Sequence, residues 1–309
     1  MAPKADTGLT LERSRDGTRV HRFSHEAMAT VFEVHVAHPD ARYAAQGAQA
    51  AFDLVDRLER DLSRFLPNSD ITRINHLAPG DRTRVAVTTM ECLVIARHMF
   101  DLTGGTFDVS IGTGLTSLVL DADEAAVEAS RAGVALDLGG IGKGYAVDLM
   151  ADVLEEWGLE RSLLHGGFSS MLALDGPEND AGWTLTFSDP RQPSRVLERL
   201  SLQQTALGAS GIRKTDHVVD PRSGVPIRER LATWATVPRP RGEDGSPGRA
   251  AAVTDALTTA FLVLSPEQVQ TLCDGSPGLT AWLLEPPEAP DGTSRLIRFG
   301  APQTVDRRP

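Results

Sequence analysis

Apolar and polar residues alternate along residues 30–36, which predicts a β-strand at the end of a β-like segment that begins at Val20. Pro39 ends this segment. A long helix is then predicted over 41–65, because apolar residues recur there at helical spacing as one stripe: Phe52, Val55, Leu58, Leu62 and Phe65. Residues 1–18 show no periodicity and are predicted to form a disordered tail.

A second helix is predicted from a cap at Thr88 to about Leu102, where two glycines break the pattern. Residues 134–138 are predicted to form a short strand that leads directly into the glycine-rich turn 139–144. The next helix is predicted over 145–157, with Gly158 as its C-terminal signal.

The second half of the chain predicts several short strands before its last helices, at 162–164, 170–174, 183–187, 200–205, 216–219 and 232–237. Residues 238–248 are rich in Pro, Gly and Arg and predict a flexible loop insert. Helices are predicted at 250–264 and 266–272 and a strand at 280–284, followed by a Pro-rich tail over 286–309. Because helices and strands alternate irregularly, we expect an α+β fold with mixed or antiparallel sheets and packed helices, in one domain over 19–285.

Composition narrows the class of protein. The chain of 309 residues has 42 acidic and 31 basic side chains and a formal charge of −11, which disfavours binding to nucleic acid or to anionic lipid. It has no apolar stretch near twenty residues, so no membrane span is expected. The start of the chain has neither a hydrophobic signal region nor a lipid-accepting Cys, which predicts a cytoplasmic protein. Cys92 and Cys273 suit no metal spacing and are expected to be buried.

The turn 139–144 (Gly-Gly-Ile-Gly-Lys-Gly) is a candidate phosphate site. Glycines allow close approach of a ligand to the backbone, a helix N-terminus offers amide N–H groups, and Lys143 adds a full positive charge. The turn fits neither the Walker pattern nor the dinucleotide fingerprint. A tight strand-to-helix turn without a ligand is the alternative.

Asp255 and Thr259 are four residues apart on a predicted helix, which places a carboxylate and a hydroxyl on one face. Both are hard oxygen ligands suited to Mg²⁺. The alternative is an ordinary helical Asp with a Thr that bonds back to its own helix. His217 has the chemistry of a general base, although a structural role is common for a strand histidine.

The remaining histidines form sequence pairs, His21 with His25 and His35 with His38. Both pairs lie in or beside strand-like sequence, and no third ligand is identifiable. A structural role is therefore favoured over a metal site.

Taken in order, several short motifs resemble the family of ApbE-type FAD:protein FMN transferases over roughly 20–284. The matching residues are Met28-Ala29-Thr30, Phe65, Ser69-Asp70-Ile71, Asn75, Thr106-Phe107-Asp108, the stretch 137–148, the stretch 217–224 (His-Val-Val-Asp-Pro-Arg-Ser-Gly) and the stretch 254–260 (Thr-Asp-Ala-Leu-Thr-Thr-Ala). Each motif alone is weakly specific. Their joint order carries the resemblance.

The resemblance implies a Mg²⁺-dependent enzyme that moves FMN from FAD to a Thr hydroxyl of an acceptor flavoprotein and releases AMP. It implies metal ligation by Asp255, Thr259 and the Gly140 carbonyl, and a base role for His217, with Asp255 and Lys143 also in the catalytic set. The residues it implies for FAD contact are Met28, Phe65, Thr106, Phe107, Asp108, Asp137, Lys143 and Val219.

The sequence departs from the family pattern at three positions. Ala29 stands where Gly is usual, Phe65 where Tyr is frequent, and Phe168 where Asp or Asn follows the glycine pair. Two further functions share the same motifs: an FAD-binding protein without transfer activity, and a hydrolase that splits FAD into FMN and AMP. The joint presence of Asp255, Thr259, Lys143 and His217 favours catalysis over binding alone.

Overall fold

The structure is a computed structural model, and it describes residues 9–11, 19–211, 219–227, 230–242, 246–287 and 292–300. The helices are α1 (Ala41–Leu62), α2 (Asp70–Asn75), α3 (Val87–Leu102), α4 (Gly142–Glu156), α5 (Ala250–Phe261) and α6 (Pro266–Gly275). The strands are β1 (Leu9–Leu11), β2 (Val20–Ala27), β3 (Thr30–Ala37), β4 (Arg82–Arg84), β5 (Leu118–Asp121), β6 (Ala126–Ala129), β7 (Ser162–Gly166), β8 (Ser170–Ala173), β9 (Trp183–Asp189), β10 (Gln192–Leu202), β11 (Thr205–Gly211), β12 (Ala232–Pro238), β13 (Thr280–Glu285) and β14 (Arg295–Phe299).

An eight-stranded sheet of order β14-β13-β12-β11-β8-β7-β3-β2 organises the fold. Each described pairing in it is antiparallel. Two three-stranded sheets, β1-β9-β10 and β4-β6-β5, complete the strand pairing. The expected α+β architecture in a single domain is confirmed.

The two faces of the large sheet are covered differently. Helices α1, α4 and α5 pack on one face, over apolar residues such as Phe32 and Val34. A second apolar cluster covers the other face, where Phe187 of β9 stacks on Trp234 of β12 with ring centroids 4.5 Å apart. The alternation of strand side chains produces both layers, since neighbouring residues of one strand face opposite sides. Cys92 and Cys273 are free and buried, as expected.

Several predicted boundaries need correction. Helix α3 begins at Val87 with Ala86 before it, so Thr88 is inside the helix and not its cap. The predicted strand at 200–205 is divided between the end of β10 and the start of β11. Strands β5 and β6 were not predicted. The predicted strand at 216–219 lies outside the described residues except for position 219.

Parts of both predicted tails belong to sheets. Strand β1 pairs with β9, Leu9 opposite Phe187, within the segment predicted to be disordered. Strand β14 pairs with β13, Phe299 opposite Ala281, and forms an edge of the large sheet. An alternating segment can therefore add to an exposed edge even when prolines or polar residues surround it.

The insert 238–248 is anchored to helix α4 where it is described. The Arg239 side chain is fully buried, with Nη2 2.5 Å from Asp152 Oδ1 and Nη1 2.8 Å from Glu155 Oε1. Arg249, directly after the insert, binds the other Asp152 oxygen at 2.5 Å. The expectation of a flexible loop is therefore corrected at Arg239. Within the described ranges, no helix combines the length and the apolar character that crossing a bilayer requires.

Candidate functional site

Helices α4 and α5 bind each other's N-termini through one carboxylate each. Asp255 of α5 accepts a hydrogen bond at Oδ2 from the backbone N–H of Gly144, at 3.1 Å. Asp148 of α4 accepts hydrogen bonds from the N–H groups of Ala251 and Ala252, at 3.0 and 2.8 Å. Because a helix N-terminus carries unpaired donors and partial positive charge, it stabilises a carboxylate placed there. This reciprocal capping fixes where Asp255 lies.

A close approach between the two helix backbones makes this arrangement possible. A Cβ atom on Gly144 would lie 2.6 Å from the carbonyl carbon of Ala251 and 2.9 Å from the Cα of Ala252. Both distances are shorter than any ordinary contact, so a side chain at position 144 would push the helices apart. Asp148 lies in the same interface with no exposed surface, and burial raises its pKa to about 7 against the effect of its amide partners.

The residues implied as metal ligands lie together at this interface. The Oγ1 of Thr259 is one helical turn from Asp255 and donates to the Asp255 carbonyl at 3.1 Å. Gly140 is adjacent, since a Cβ on it would lie 3.4 Å from Thr259 Oγ1 and 3.3 Å from the Phe107 ring. A carboxylate, a hydroxyl and a backbone carbonyl are hard oxygen donors, and they fit Mg²⁺. The Asp255 side chain is almost fully buried, but its Oδ1 makes no hydrogen bond within the described part of the chain.

Lys143 places its positive charge beside this carboxylate. Its Nζ lies 3.5 Å from Asp255 Oδ2 and donates to the carbonyl of Gly139 at 2.8 Å. Two of the amides that were expected to be free for a ligand are not free. The N–H of Gly142 is paired with Leu138 and that of Gly144 with Asp255, so both are already satisfied. The Lys143 ammonium is therefore the main cationic group of the turn.

An aromatic ring and an ion pair lie at the start of the same turn. Asp137 accepts from the N–H of Gly139 at 2.9 Å and binds Arg64 Nε through its other oxygen at 3.1 Å. The Arg64 guanidinium lies over the Phe65 ring, 4.5 Å from its centroid. Phe65 itself is 79% exposed, more than any other large apolar side chain of the described residues. These contacts connect two residues implied in FAD binding, and Arg64 was not predicted.

Residues 134–138 do not form the predicted strand. The Asn75 side chain takes the place of a neighbouring strand, accepting from Leu136 N–H at 2.7 Å and donating to its carbonyl at 3.1 Å. The N–H of Asp137 bonds to the carbonyl of Val109 at 2.7 Å. Asn75 therefore positions the segment that carries Asp137 and the glycine turn. Its presence among the matching motifs was the only signal for this role.

The loop that follows helix α3 brings three more predicted residues near the turn. Phe107 packs against Gly140, and Asp108 organises the loop by accepting from Ser110 N–H and Gly112 N–H, each at 2.8 Å. The hydroxyl of Thr106 is buried with no hydrogen-bond partner among the described residues. A buried hydroxyl of this kind is commonly satisfied by a ligand or a water molecule.

The loop also contacts the turn that contains Val219. The backbone of Gly112 lies close to the carbonyl of Pro221, and Val219 pairs with Pro226 across that turn. His217 lies outside the described residues, so its predicted role as a base stays a prediction.

Comparison with known proteins identifies the family. A family model, that of the ApbE family, matches residues 28–283. The chain belongs to the ApbE family. It is 24% identical over 265 residues to the FAD:protein FMN transferase of Klebsiella pneumoniae (72% of this chain, 71% of the relative). It is 20% identical over 263 residues to the protein of the same name from Vibrio cholerae (72% of this chain, 75% of the relative).

Solved ApbE structures share the fold. The apo flavinyl transferase ApbE of Pseudomonas stutzeri superposes with a TM-score of 0.75 at 21% identity, covering 91% of this chain and 94% of that one. The ApbE protein of Thermotoga maritima superposes with a TM-score of 0.73 at 20% identity, covering 90% and 96%.

Two departures from the ApbE family pattern occur in adjacent hairpin turns. Met28 and Ala29, between β2 and β3, have φ of +49° and +56°, and Phe168, between β7 and β8, has φ of +58°. Left-handed backbone favours Gly, so Ala29 and Phe168 are strained where they stand. Gly167 donates its N–H to the Val31 carbonyl at 3.0 Å, which joins the two turns. Among the described residues, no contact connects Met28 with Asp255. The predicted contact of Met28 with FAD therefore stays a prediction.

Proposed function

We propose that this ApbE-family chain transfers FMN from FAD to a Thr hydroxyl of an acceptor flavoprotein and releases AMP. The observation that carries the proposal is the convergence of Asp255, Thr259, Gly140 and Lys143 at the junction of α4 and α5. The names of the relatives, FAD:protein FMN transferase, support the same reaction. We expect Asp255, Thr259 and the Gly140 carbonyl to hold the Mg²⁺ ion.

The reaction requires few covalent steps from the protein. The acceptor oxygen forms a bond to the FMN phosphorus, the bond from that phosphorus to the bridging oxygen breaks, and AMP leaves. When bound, Mg²⁺ would neutralise the negative charge that develops on the diphosphate. Lys143 supplies the other nearby positive charge, since its Nζ is already held beside the carboxylate of Asp255. His217 is proposed to accept the proton of the acceptor hydroxyl.

The buried position of Asp255 suits a metal ligand better than a structural residue. Asp148 caps helix α5 with both of its oxygens, whereas Asp255 caps helix α4 with Oδ2 alone. The second oxygen is left for a ligand. The N-terminus of helix α4 and the Lys143 ammonium place positive charge beside Oδ2.

The FAD molecule is proposed to extend from the diphosphate site toward Phe65. The exposed Phe65 ring lies under the Arg64 guanidinium, and Arg64 pairs with Asp137 at the start of the glycine turn. An exposed aromatic ring at this place suits stacking with an aromatic ring of the nucleotide. Thr106, Phe107, Asp108, Val219 and Met28 are proposed to contact other parts of FAD. A cytoplasmic location and the domain limits 19–285 remain predictions.

The test measures AMP and peptide mass in one reaction. The protein is incubated with FAD, Mg²⁺ and a peptide that carries a flavinylation-type Thr. We expect equal amounts of AMP and of peptide heavier by one FMN. AMP without modified peptide would show hydrolysis, and bound FAD without AMP would show a binding protein, so either result contradicts the proposal.

The Asp255→Ala variant tests the metal assignment. We expect the variant to fold, because the substitution removes only one hydrogen bond at the N-terminus of helix α4. We also expect it to release no AMP. Asp189→Ala is a matched control, since it removes a buried carboxylate whose described partners, Arg191, Arg195 and Ser294, lie away from α4 and α5. AMP release by Asp255→Ala at the rate of the unmodified protein would contradict the assignment.

A further inference from the structure

A second group of possible metal ligands lies on the face of the large sheet opposite helices α1 and α4. Glu33 and His35 of β3 and His165 of β7 point to this side, because their neighbours Phe32 and Val34 point into the helical core. Glu33 Oε2 lies 3.1 Å from His165 Nε2 and 3.4 Å from His35 Nε2. The three ligand atoms all lie within 4.8 Å of one another.

These separations match those of a tetrahedral metal site. A Zn²⁺ ion with His nitrogens and a carboxylate oxygen at about 2.0–2.1 Å keeps neighbouring ligand atoms about 3.3 Å apart. The two measured separations lie on either side of that value. The strand pairing places Glu33 directly opposite His165, so the ligands come from rigid elements and not from loops.

The His165 ring is held in place by its surroundings. It is 1% exposed, and the Phe168 ring, with its centroid 4.0 Å from that of His165, covers the imidazole and restricts its orientation. Its Nε2 lies beside Glu33, whereas its Nδ1 has no hydrogen-bond partner among the described residues.

We propose that Glu33, His35 and His165 form a binding site for a divalent transition-metal ion of the Zn²⁺ type, separate from the Asp255 site. Two imidazole nitrogens and one carboxylate oxygen suit such an ion and disfavour Mg²⁺ or Ca²⁺, which prefer oxygen donors only. A water molecule would occupy the fourth position, on the side where His35 is partly exposed. The site goes beyond the proposed transfer reaction and does not depend on it.

Arg22 is the group that competes with the ion. Its Nε donates to Glu33 Oε2 at 2.7 Å, and its Nη2 bonds to Oε1. The Arg22 side chain is 62% exposed, so it can release Oε2 without unfolding the sheet.

The test uses the full chain without a histidine tag and titrates it with Co²⁺, whose tetrahedral complexes absorb strongly in the visible range. We expect saturation at one equivalent of Co²⁺, and loss of the bands on addition of Zn²⁺. His35→Gln should weaken Co²⁺ binding at least tenfold. Asp255→Ala should leave the spectrum unchanged, which separates this site from the proposed Mg²⁺ site.

Folding of the variants is checked by far-ultraviolet circular dichroism, and Arg22→Gln provides a second variant on an exposed side chain. We expect Arg22→Gln to bind Co²⁺ more tightly, because the competing cation is removed. Absence of tetrahedral bands in the unmodified chain would overturn the proposal. Equal affinity in folded His35→Gln, or loss of the bands in Asp255→Ala, would overturn it as well.

Discussion

The contact between the backbones of α4 and α5 at Gly144 provides a direct test of how Asp255 is positioned. Replacing Gly144 with Ala adds one methyl group at a point where its Cβ would lie 2.6 Å from the Ala251 carbonyl carbon. An ordinary contact begins near 3.4 Å. The helices must therefore separate by roughly 0.8 Å, because the neighbouring atoms belong to a rigid backbone.

The size of the effect follows from that displacement. Inserting a methyl group into a packed interface destabilises a protein by about 1–3 kcal/mol. At about 2–4 °C per kcal/mol, the midpoint of thermal unfolding should fall by roughly 2–12 °C. A displacement of this size also lengthens the 3.1 Å bond from Gly144 to Asp255 and moves the carboxylate. A misplacement near 1 Å reduces turnover by about a hundredfold.

The assay measures thermal unfolding and AMP release from FAD for Gly144→Ala, with Gly142→Ala as its matched control. Gly142 lies two residues away in the same helical turn, and its added Cβ would lie 3.8 Å from the nearest atom, Leu138 Cβ. The control should unfold at or slightly above the temperature of the unmodified protein and keep its turnover. Equal unfolding temperatures and equal turnover in the two variants would refute the reasoning, because only the Cβ at position 144 would collide with the backbone of α5.

Three other outcomes are expected from the same structure. Lys143→Met should bind FAD more weakly, by at least tenfold in an equilibrium titration, because the cation beside Asp255 is lost; an unchanged affinity would contradict its assignment to the diphosphate. The free energy of unfolding should fall by up to about 3 kcal/mol as the pH decreases from 6.5 to about 4, because His35 stays neutral in the fold and is protonated in the unfolded chain. Urea titrations at several pH values measure this effect. In them, the free energy of unfolding of His35→Gln should depend less on pH than that of the unmodified protein. An equal pH dependence would contradict the assignment to His35. Ala29→Gly should stabilise the protein by up to about 1 kcal/mol, because φ at that position is +56°. Gly167→Ala should destabilise it, because the added Cβ would lie against Thr30. Thermal unfolding of both variants measures these changes.

Sequence periodicity predicted the long elements well because their burial is local. The apolar stripe of α1 and the alternation in β3 each bury one face, and such a pattern is visible within a single window of residues. It did not predict β14, a strand whose pairing partner and surrounding prolines decide its state. The segment 134–138 is the opposite case, since a strand was predicted there and none forms. The backbone N–H and carbonyl of Leu136 bond to the Asn75 side chain and not to another strand.

The candidate site was predictable only where its residues are close in sequence. Asp255 and Thr259 share one helix face, so their joint role can be inferred from spacing, but Asp255 meets Gly144 across 111 positions. The same limit applies to the second cluster, where Glu33 and His165 are 132 positions apart. His35 appeared to have no third ligand because its partners are contributed by strand pairing, which periodicity does not specify. A site whose residues meet only through tertiary contacts therefore cannot be predicted without the fold. The two clusters are positioned by different elements: the N-terminus of helix α4 positions Asp255, and the pairing of β3 with β7 positions Glu33.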